Sequence, residues 1–163
     1  MRRLEKKGYR LGRHHPELEA AIVENPKDAA ARLVYADWLL EQQDPRGELI
    51  TRMASGVAFD DLLANHPWQL APDWMKPMEL EWWLGYVRKV HCRACQDGRL
   101  LIRLFRHPSL LAVEELVVTD TPYPSYQTWE KALLARPKTL RRIEARGMKV
   151  LGPLKQKCPG SAF

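Results

Sequence analysis

The sequence lacks any apolar run long enough to cross a membrane, and it has few cysteines. None of its apolar stretches reaches about eighteen residues, the least that a membrane-spanning helix needs. The basic start, MRRLEKK, lacks the apolar segment of a secretory signal. Three cysteines, an odd number, are typical of a reducing compartment. We therefore expect a cytoplasmic protein with no membrane partner.

The common motifs of nucleotide-binding and hydrolytic enzymes are also missing. The chain contains no G-x-x-x-x-G-K-[S/T], no G-x-G-x-x-G and no G-x-S-x-G. Those motifs form the loops that cradle phosphates or the turn that presents a nucleophilic serine. We therefore predict no enzymatic activity and no cofactor.

The densest apolar segment lies at residues 33–40, and its pattern predicts a central helix. Asp28 is expected to cap this helix, which runs to about Gln42. Apolar residues at intervals of four, three and four define one helical face, and further apolar residues widen it almost all the way round. We therefore predict a core helix whose Tyr35/Trp38 cluster is buried between the first three helices. The face consists of Ala29, Leu33, Ala36 and Leu40, and it is widened by Val34, Tyr35, Trp38 and Leu39.

Asp37 is the one ionisable residue inside that segment. Burying a carboxylate costs several kcal/mol unless it is paired or hydrogen-bonded. The sequence therefore predicts a partner, either Arg46 or the free amides at the start of the next helix. We interpret Asp37 as a structural acid. A structural role is also predicted for Tyr35, Trp38, Arg46 and Gly47. A small enzyme centred on Asp37 is the alternative.

Three segments of this region resemble the bacterial repeat-companion domain. They read PELEAAI at 16–22, NPKDAAARLVYADWL at 25–39 and DPRGELI at 44–50, and the similarity extends over residues 15–53, about a quarter of the chain. That family is a small helical module usually found ahead of leucine-rich repeats. The resemblance implies an architecture and no particular activity.

Helix-start signals support a three-helix domain over residues 15–54. Pro16 is expected at the first position of a short helix that ends before Asn25. Asp44 followed by Pro45 predicts the cap and first turn of a third helix.

Residues 55–84 are predicted to be a packed linker. Prolines interrupt the segment, and only residues 59–63 favour one or two helical turns. Four large aromatics are too many for a free tether, so we expect the linker to pack against both neighbours. They are Trp68, Trp74, Trp82 and Trp83. A carbohydrate-binding or base-stacking platform is the alternative interpretation of the same side chains.

Residues 85–150 repeat one apolar pattern three times. It occurs as Val87-x-x-Val90-x-Cys92, Val113-x-x-Leu116-x-Val118 and Leu140-x-x-Ile143-x-Ala145, at intervals of 26 and 27 residues. Helical stretches at 99–107 and 125–136 lie between the three sets. A strand and a helix at a period of about 20 to 29 residues are typical of leucine-rich repeats. We therefore predict an α+β fold in which the helical domain packs on a short leucine-rich-repeat-like array.

The C-x-x-C motif of Cys92 and Cys95 is predicted to be structural. Zinc sites usually need a second such pair or spaced histidines, and His91 alone does not supply them. Cys92 also has the repeat position of Val118 and Ala145, which favours a small core residue. We expect no metal site.

Both ends of the chain are basic. Residues 1–13 contain six Lys/Arg and one acid, and residues 136–163 contain eight and one, so the rest carries a net charge of −6. We interpret residues 1–14 as a basic arm and residues 151–163 as a basic tail. Such ends favour an acidic partner. A nucleic-acid-binding protein that uses both ends is the alternative function, although no helix-turn-helix, RRM, KH or zinc-finger motif accompanies the charge.

The predicted binding residues occupy outward positions on the three repeated strands. Strands in a sheet lie about 4.8 Å apart, so these residues should form two rows whose charge alternates from strand to strand. The first row contains Arg88, Glu114 and Arg141, and the second contains Lys89, Glu115 and Arg142. We predict a non-catalytic adaptor or assembly component that binds another protein through this ridge and the basic ends, with an acidic protein as one candidate.

Overall fold

The structure is a computed structural model that describes residues 12–93, 98–120 and 126–145. Most of the predicted basic arm, the whole basic tail and Cys95 lie outside the described residues. The helices are α1 (Pro16–Glu24), α2 (Ala29–Glu41), α3 (Pro45–Ala54), α4 (Asp60–Asn65), α5 (Gly98–Phe105) and α6 (Tyr126–Leu134). The strands are β1 (Glu79–Trp83), β2 (Tyr86–Arg93), β3 (Glu115–Thr119) and β4 (Arg142–Ala145), and two 3-10 turns lie at Asp73–Met75 and Pro108–Leu110.

Capping confirms the predicted starts of the first three helices. Pro16 is the first residue of α1. The Asp28 carboxylate accepts a 2.8 Å hydrogen bond from the Ala30 amide at the start of α2, and Asp44 caps α3 in the same way. These side chains satisfy amides that have no acceptor within their helix.

The burial of α2 agrees with the prediction only in part. Tyr35 of the predicted Tyr35/Trp38 cluster is fully buried. Of the face at intervals of four, three and four only Ala36 is buried, while Leu33 is 41% and Leu40 is 44% exposed. The buried residues are Arg32, Tyr35, Ala36 and Leu39. Since the helix is apolar almost all round, its periodicity does not decide which face turns inward. Packing decides it, because the guanidinium of Arg32 lies over the Trp83 ring, 4.4 Å from the centroid.

Asp37 is exposed, so the prediction that it is a buried acid paired with Arg46 is wrong. The buried carboxylate is Asp44. Its Oδ2 lies 3.0 Å from Nη2 of Arg46, and the two side chains are 3% and 2% exposed. The alternative of a small enzyme centred on Asp37 concerns activity, and it stays a prediction.

A four-stranded mixed sheet forms the second half of the molecule and confirms the α+β class. The strand order is β1-β2-β3-β4, with β1 antiparallel to β2 and the other two pairings parallel. Helices α5 and α6 connect the parallel strands, as the alternation of strand and helix patterns predicts. In register, Val90 lies beside Leu116, and Leu116 lies beside Ile143.

Strand β1 lies inside the segment predicted to be a linker. It forms a hairpin with β2 through a two-residue turn at Leu84 and Gly85, which have φ angles of 43° and 78°. Positive φ at both central residues is typical of the turns that match the twist of a hairpin. A Cβ at Gly85 would lie 2.2 Å from Cγ1 of Ile50, so glycine also lets α3 approach the turn.

The core joins the sheet to both groups of helices. The largest cluster lies between the sheet and helices α5 and α6, and it includes Val90, Leu116, Leu101 and Trp129. A second cluster places Tyr86 of β2 among residues of the first three helices. The N-terminal helices therefore pack on the sheet directly. None of the helices that the structure describes is both long and apolar enough to cross a bilayer.

Candidate functional site: the open face of the sheet

The helices that the structure describes leave one face of the sheet uncovered. Side chains alternate along a strand, so the buried positions Val90 and Leu116 face α5 and α6 while their neighbours face the other way. We call this second side the open face. It consists of Glu79 and Glu81 on β1, Lys89, His91 and Arg93 on β2, Glu115, Val117 and Thr119 on β3, and Arg142 and Glu144 on β4.

Charge alternates along one row that crosses all four strands. Glu81 pairs in register with Lys89, Lys89 with Glu115, and Glu115 with Arg142. The ammonium of Lys89 lies 3.5 Å from a carboxylate oxygen of Glu115. The predicted alignment of Lys89, Glu115 and Arg142 is therefore confirmed, and β1 adds a fourth member that the sequence prediction missed.

The other predicted row is less regular. Arg88 is the extra residue of a β-bulge opposite Glu81, and its guanidinium lies 2.8 Å from the Glu81 carboxylate. A bulge changes the direction in which the side chain of the added residue points. Glu114 and Arg141 each lie directly before a strand, and Arg141 is exposed. Glu114 is half-buried, and its charge acts on Arg32 at the junction with the N-terminal helices. Glu114 is therefore not simply a ridge residue.

A second polar chain links three strands. The His91 Nδ1 lies 3.1 Å from the Glu79 carboxylate, and its Nε2 lies 3.2 Å from Oγ1 of Thr119. The carboxylate can only accept, so the His91 ring donates to it from Nδ1–H. The hydrogen bond from His91, followed by the charge of Arg93 at 2.7 Å, holds the pKa of the Glu79 carboxyl below its ordinary value.

The order carboxylate, imidazole, hydroxyl resembles that of serine hydrolases. Acyl transfer also needs donors placed to stabilise an oxyanion, so the order alone does not define a catalytic site. The carboxylate of Glu79 is shared with Arg93, and both side chains are well exposed. We interpret the hydrogen bonds that link Glu79, His91 and Thr119 as contacts that stabilise the packing of β1, β2 and β3 side by side.

A hollow of about 390 Å³ lies over the middle of the open face. Its floor contains Val117, which is half-buried. Its described lining is Glu79, Leu80, Glu81, Lys89, His91, Val117, Thr119 and Glu144. Each of its three carboxylates already has an arginine beside it, namely Arg93 at Glu79, Arg88 at Glu81 and Arg142 at Glu144. A cationic side chain of a partner would therefore enter the hollow only by exchanging such pairs.

The sequence contained a signal for β1 that the linker prediction did not use. Residues 79–82 read ELEW, an alternation of acidic and apolar residues with the period of a strand. The prolines and tryptophans around it favoured a linker. Without β1, the contributions of Glu79 and Glu81 to the open face were missed.

Four of the five predicted structural residues, Tyr35, Trp38, Arg46 and Gly47, lie in one cluster away from the open face, whereas Asp37 is exposed. Arg46 donates from Nε to Asp44 at 3.0 Å, and its Nη2 also donates to the Arg13 carbonyl. Tyr35 donates to Glu19 at 2.6 Å. Burial, assisted by the hydrogen bond with Glu19, raises the pKa of the Tyr35 hydroxyl. Burial opposes the charge of Asp44, but the hydrogen bonds and charge of Arg46 outweigh it and lower the pKa of Asp44.

Gly47 and Trp38 complete this cluster in different ways. A Cβ at Gly47 would lie 2.8 Å from the backbone of α2 at Ala36, so glycine permits the close approach of α2 and α3. Trp38 is half-buried and stacks on Tyr35 with a centroid distance of 5.8 Å. These contacts fit the structural role that the sequence predicts for the set.

Fold and surface define a small α+β protein with one open, charged sheet face. Comparisons of the chain with models of protein families, with curated proteins and with solved structures gave no match.

Proposed function

We propose that this chain is a non-catalytic interaction protein that binds another protein through the open face. The observation that carries the proposal is a sheet face that helices α1 to α6 leave uncovered within the described residues and that carries ordered rows of both charges. Such patterning favours specificity and steering of association over raw affinity.

The proposal includes the architecture implied by the sequence. We propose that α1 to α3 form a repeat-companion-like domain and that β2, β3 and β4, with α5 and α6, form a short leucine-rich-repeat-like array. Parallel pairing supports the second part, because it aligns equivalent positions of the three apolar patterns, such as Cys92, Val118 and Ala145. Stacking of units that cannot bury their apolar faces alone is typical of repeat proteins.

The open face fits a protein surface that carries both signs of charge. A Lys or Arg side chain of the partner would enter the hollow over Val117 and replace an arginine that now pairs with Glu79, Glu81 or Glu144. Acidic groups of the partner beside that side chain would face Lys89 and the exposed guanidinium groups of Arg141 and Arg142 at the start of β4. A uniformly acidic partner would match the lysine and arginine side chains of the open face but not its glutamates. We therefore favour a partner of mixed charge.

Reversing the charge of Arg141 and Arg142 to Glu should slow association and weaken binding about tenfold or more. Folding should barely change, since exposed pairs contribute about 0 to 1 kcal/mol each. The native partner is first identified by immobilising the wild-type chain and analysing retained proteins by mass spectrometry. Its association with each purified variant is then measured by surface plasmon resonance, alongside thermal melting.

The matched control is Lys131→Glu, a charge reversal at an exposed position of α6 on the other side of the sheet. It should bind as the wild type does. A partner that binds the Arg141/Arg142 reversal with unchanged rate and affinity contradicts the proposal.

The alternative of nucleic-acid binding through both basic ends concerns residues that lie largely outside the described ranges. It stays a prediction. Titrating the wild-type chain with duplex DNA at several salt concentrations tests it, because phosphate contacts give a steep loss of affinity with salt.

A further inference from the structure

A second concave surface lies beside α5, separate from the open face. It is a groove of about 520 Å³ where α5 meets the segment before β1. We call it the basic groove. Its described lining is Trp68, Pro72, Trp74, Arg99, Ile102, Arg103, Arg106 and His107.

The basic side of the groove follows from the amphipathic pattern of α5. Leu101 and Leu104 turn into the core, whereas Arg99, Arg103 and Arg106 are exposed. Intervals of four and three residues place the three guanidinium groups along one side, with axial steps of about 6 and 4.5 Å where the backbone is helical. The helix thus presents a line of cations suited to successive phosphates.

The aromatic side of the groove is held in place by buried polar contacts. The Arg103 guanidinium lies 4.4 Å from the centroid of the Trp74 ring, and Trp74 meets His107 edge-on at 6.1 Å. Burial lowers the pKa of His107 to about 4, opposed by a hydrogen bond with the Trp68 backbone. At pH 7 the His107 ring is therefore neutral, and its Nδ1 accepts from the Ser109 amide at 3.3 Å.

Trp68 extends from this framework into solvent. It is 57% exposed, whereas the other five tryptophans are buried or half-buried. A tryptophan whose backbone is held near a buried histidine while its indole stays exposed offers a flat apolar surface at low entropic cost.

The groove is electropositive. No carboxylate is among the described residues that line it. The nearest acid in sequence, Asp73, is engaged by Lys76 at 2.8 Å. An anionic ligand with flat aromatic groups therefore fits both sides of the groove.

We propose that the basic groove binds single-stranded nucleic acid, with a base stacked on Trp68 and the backbone phosphates along Arg103 and Arg106. Stacking and a cationic track are the two elements by which proteins hold single strands without sequence readout. A duplex keeps its bases stacked internally, and an acidic peptide supplies a flat group only where it carries an aromatic side chain. This site is independent of the proposed function of the open face.

The test titrates the full chain with fluorescein-labelled oligothymidylate and oligouridylate and follows anisotropy and tryptophan fluorescence at low and moderate salt. The wild type should bind and its tryptophan emission should be quenched. Trp68→Ala should weaken binding about five- to 150-fold, the range for loss of one stacked base. Trp68→Phe should retain most of the affinity, which keeps the test decisive if the alanine variant folds poorly.

The charge arm compares Arg106→Gln with Lys131→Gln, an exposed α6 position away from the groove. Both variants lose one positive charge. Only Arg106→Gln should weaken binding and reduce the salt dependence, by about one phosphate contact.

Three results would each overturn the proposal. One is no binding of either oligonucleotide at low salt. Another is equal affinity for a duplex of the same length with no effect of Trp68→Ala, which would indicate a general cationic surface. The third is tighter binding of a labelled phosphopeptide with the same dependence on Trp68 and Arg106, which would assign the groove to a phosphorylated protein.

Discussion

Replacing Arg46 with Met should lower the free energy of unfolding by about 3 to 5 kcal/mol, because it leaves the buried Asp44 carboxylate without its cation. Arg46 contacts both carboxylate oxygens, at 3.0 Å each, from a position that is itself 2% exposed. Methionine fills a similar volume, so the loss reports the charge and not a cavity. Urea denaturation followed by far-UV circular dichroism measures it.

Two controls separate charge from packing. In the double variant Asp44→Asn/Arg46→Met, asparagine still caps α3 and no lone charge is buried, so part of the stability should return. The second control is pH. The folded-state pKa of Asp44 lies below the ordinary value of 3.8, so the pair stabilises fully above that value and less as pH falls through the folded pKa. The difference between wild type and Arg46→Met should therefore shrink in acid.

A loss below about 1 kcal/mol at neutral pH, unchanged in acid, would contradict this account of the cluster. It would mean that water reaches Asp44 in the folded state. The interpretation of Tyr35, Arg46 and Gly47 as the structural centre of the N-terminal helices would then fail.

Replacing Trp129 with Ala should lower the free energy of unfolding by about 3 to 5 kcal/mol, the usual cost of deleting a buried large aromatic. Trp129 is 1% exposed and packs in the cluster between α6, α5 and the inner face of the sheet. Nearby, a Cβ at Gly98 would lie 2.2 Å from the Thr128 carbonyl oxygen, so α5 and α6 are already in close contact. The two helices therefore cannot move together to fill the cavity that the alanine variant leaves. Denaturant titration of the variant measures the loss.

Trp129→Phe is the matched control. Within the described residues, the Trp129 Nε1 has no hydrogen-bond partner. Phenylalanine therefore removes no hydrogen bond and retains much of the apolar area, so its cost should be clearly smaller. Equal costs for Ala and Phe would indicate that the indole nitrogen, and not burial of the ring, matters at this position.

The sequence predicted those parts of the fold that depend on local chemistry. Caps at Asp28 and Asp44 follow from side-chain oxygens that satisfy free amides, and they were confirmed. Alignment of Lys89, Glu115 and Arg142 follows from equal spacing of apolar residues within parallel strands, and it was confirmed as well.

Features decided by tertiary packing were not predictable in the same way. The buried face of α2 depends on the docking of Arg32 against Trp83 and Tyr86, more than fifty residues away, with centroid distances of 4.4 and 4.8 Å. A buried arginine in an apolar helix contradicts ordinary patterning. Burial also lowers the pKa of Arg32, to about 10. The basic groove likewise combines α5 with an aromatic segment that is distant in the sequence. No sequence pattern therefore indicated that the two sides of the groove lie together.

The internal pairs of the open face set the character of the proposed binding. Lys89 lies 3.5 Å from Glu115, and Arg142 lies 3.4 Å from Glu144. A partner must exchange such pairs for its own, so charge contributes mostly to orientation and rate. Association should therefore slow as salt rises, with a smaller change in dissociation.

Photo-cross-linking from Val117 in the native cell tests the central claim most directly. A photoreactive benzoylphenylalanine replaces Val117 on the floor of the hollow, and a control chain carries it at Gln127, an exposed position on α6. The account predicts one discrete protein adduct from position 117, absent from position 127 and lost on reversal of Arg141 and Arg142. The same adducts from both positions, or adducts from position 127 alone, would contradict it.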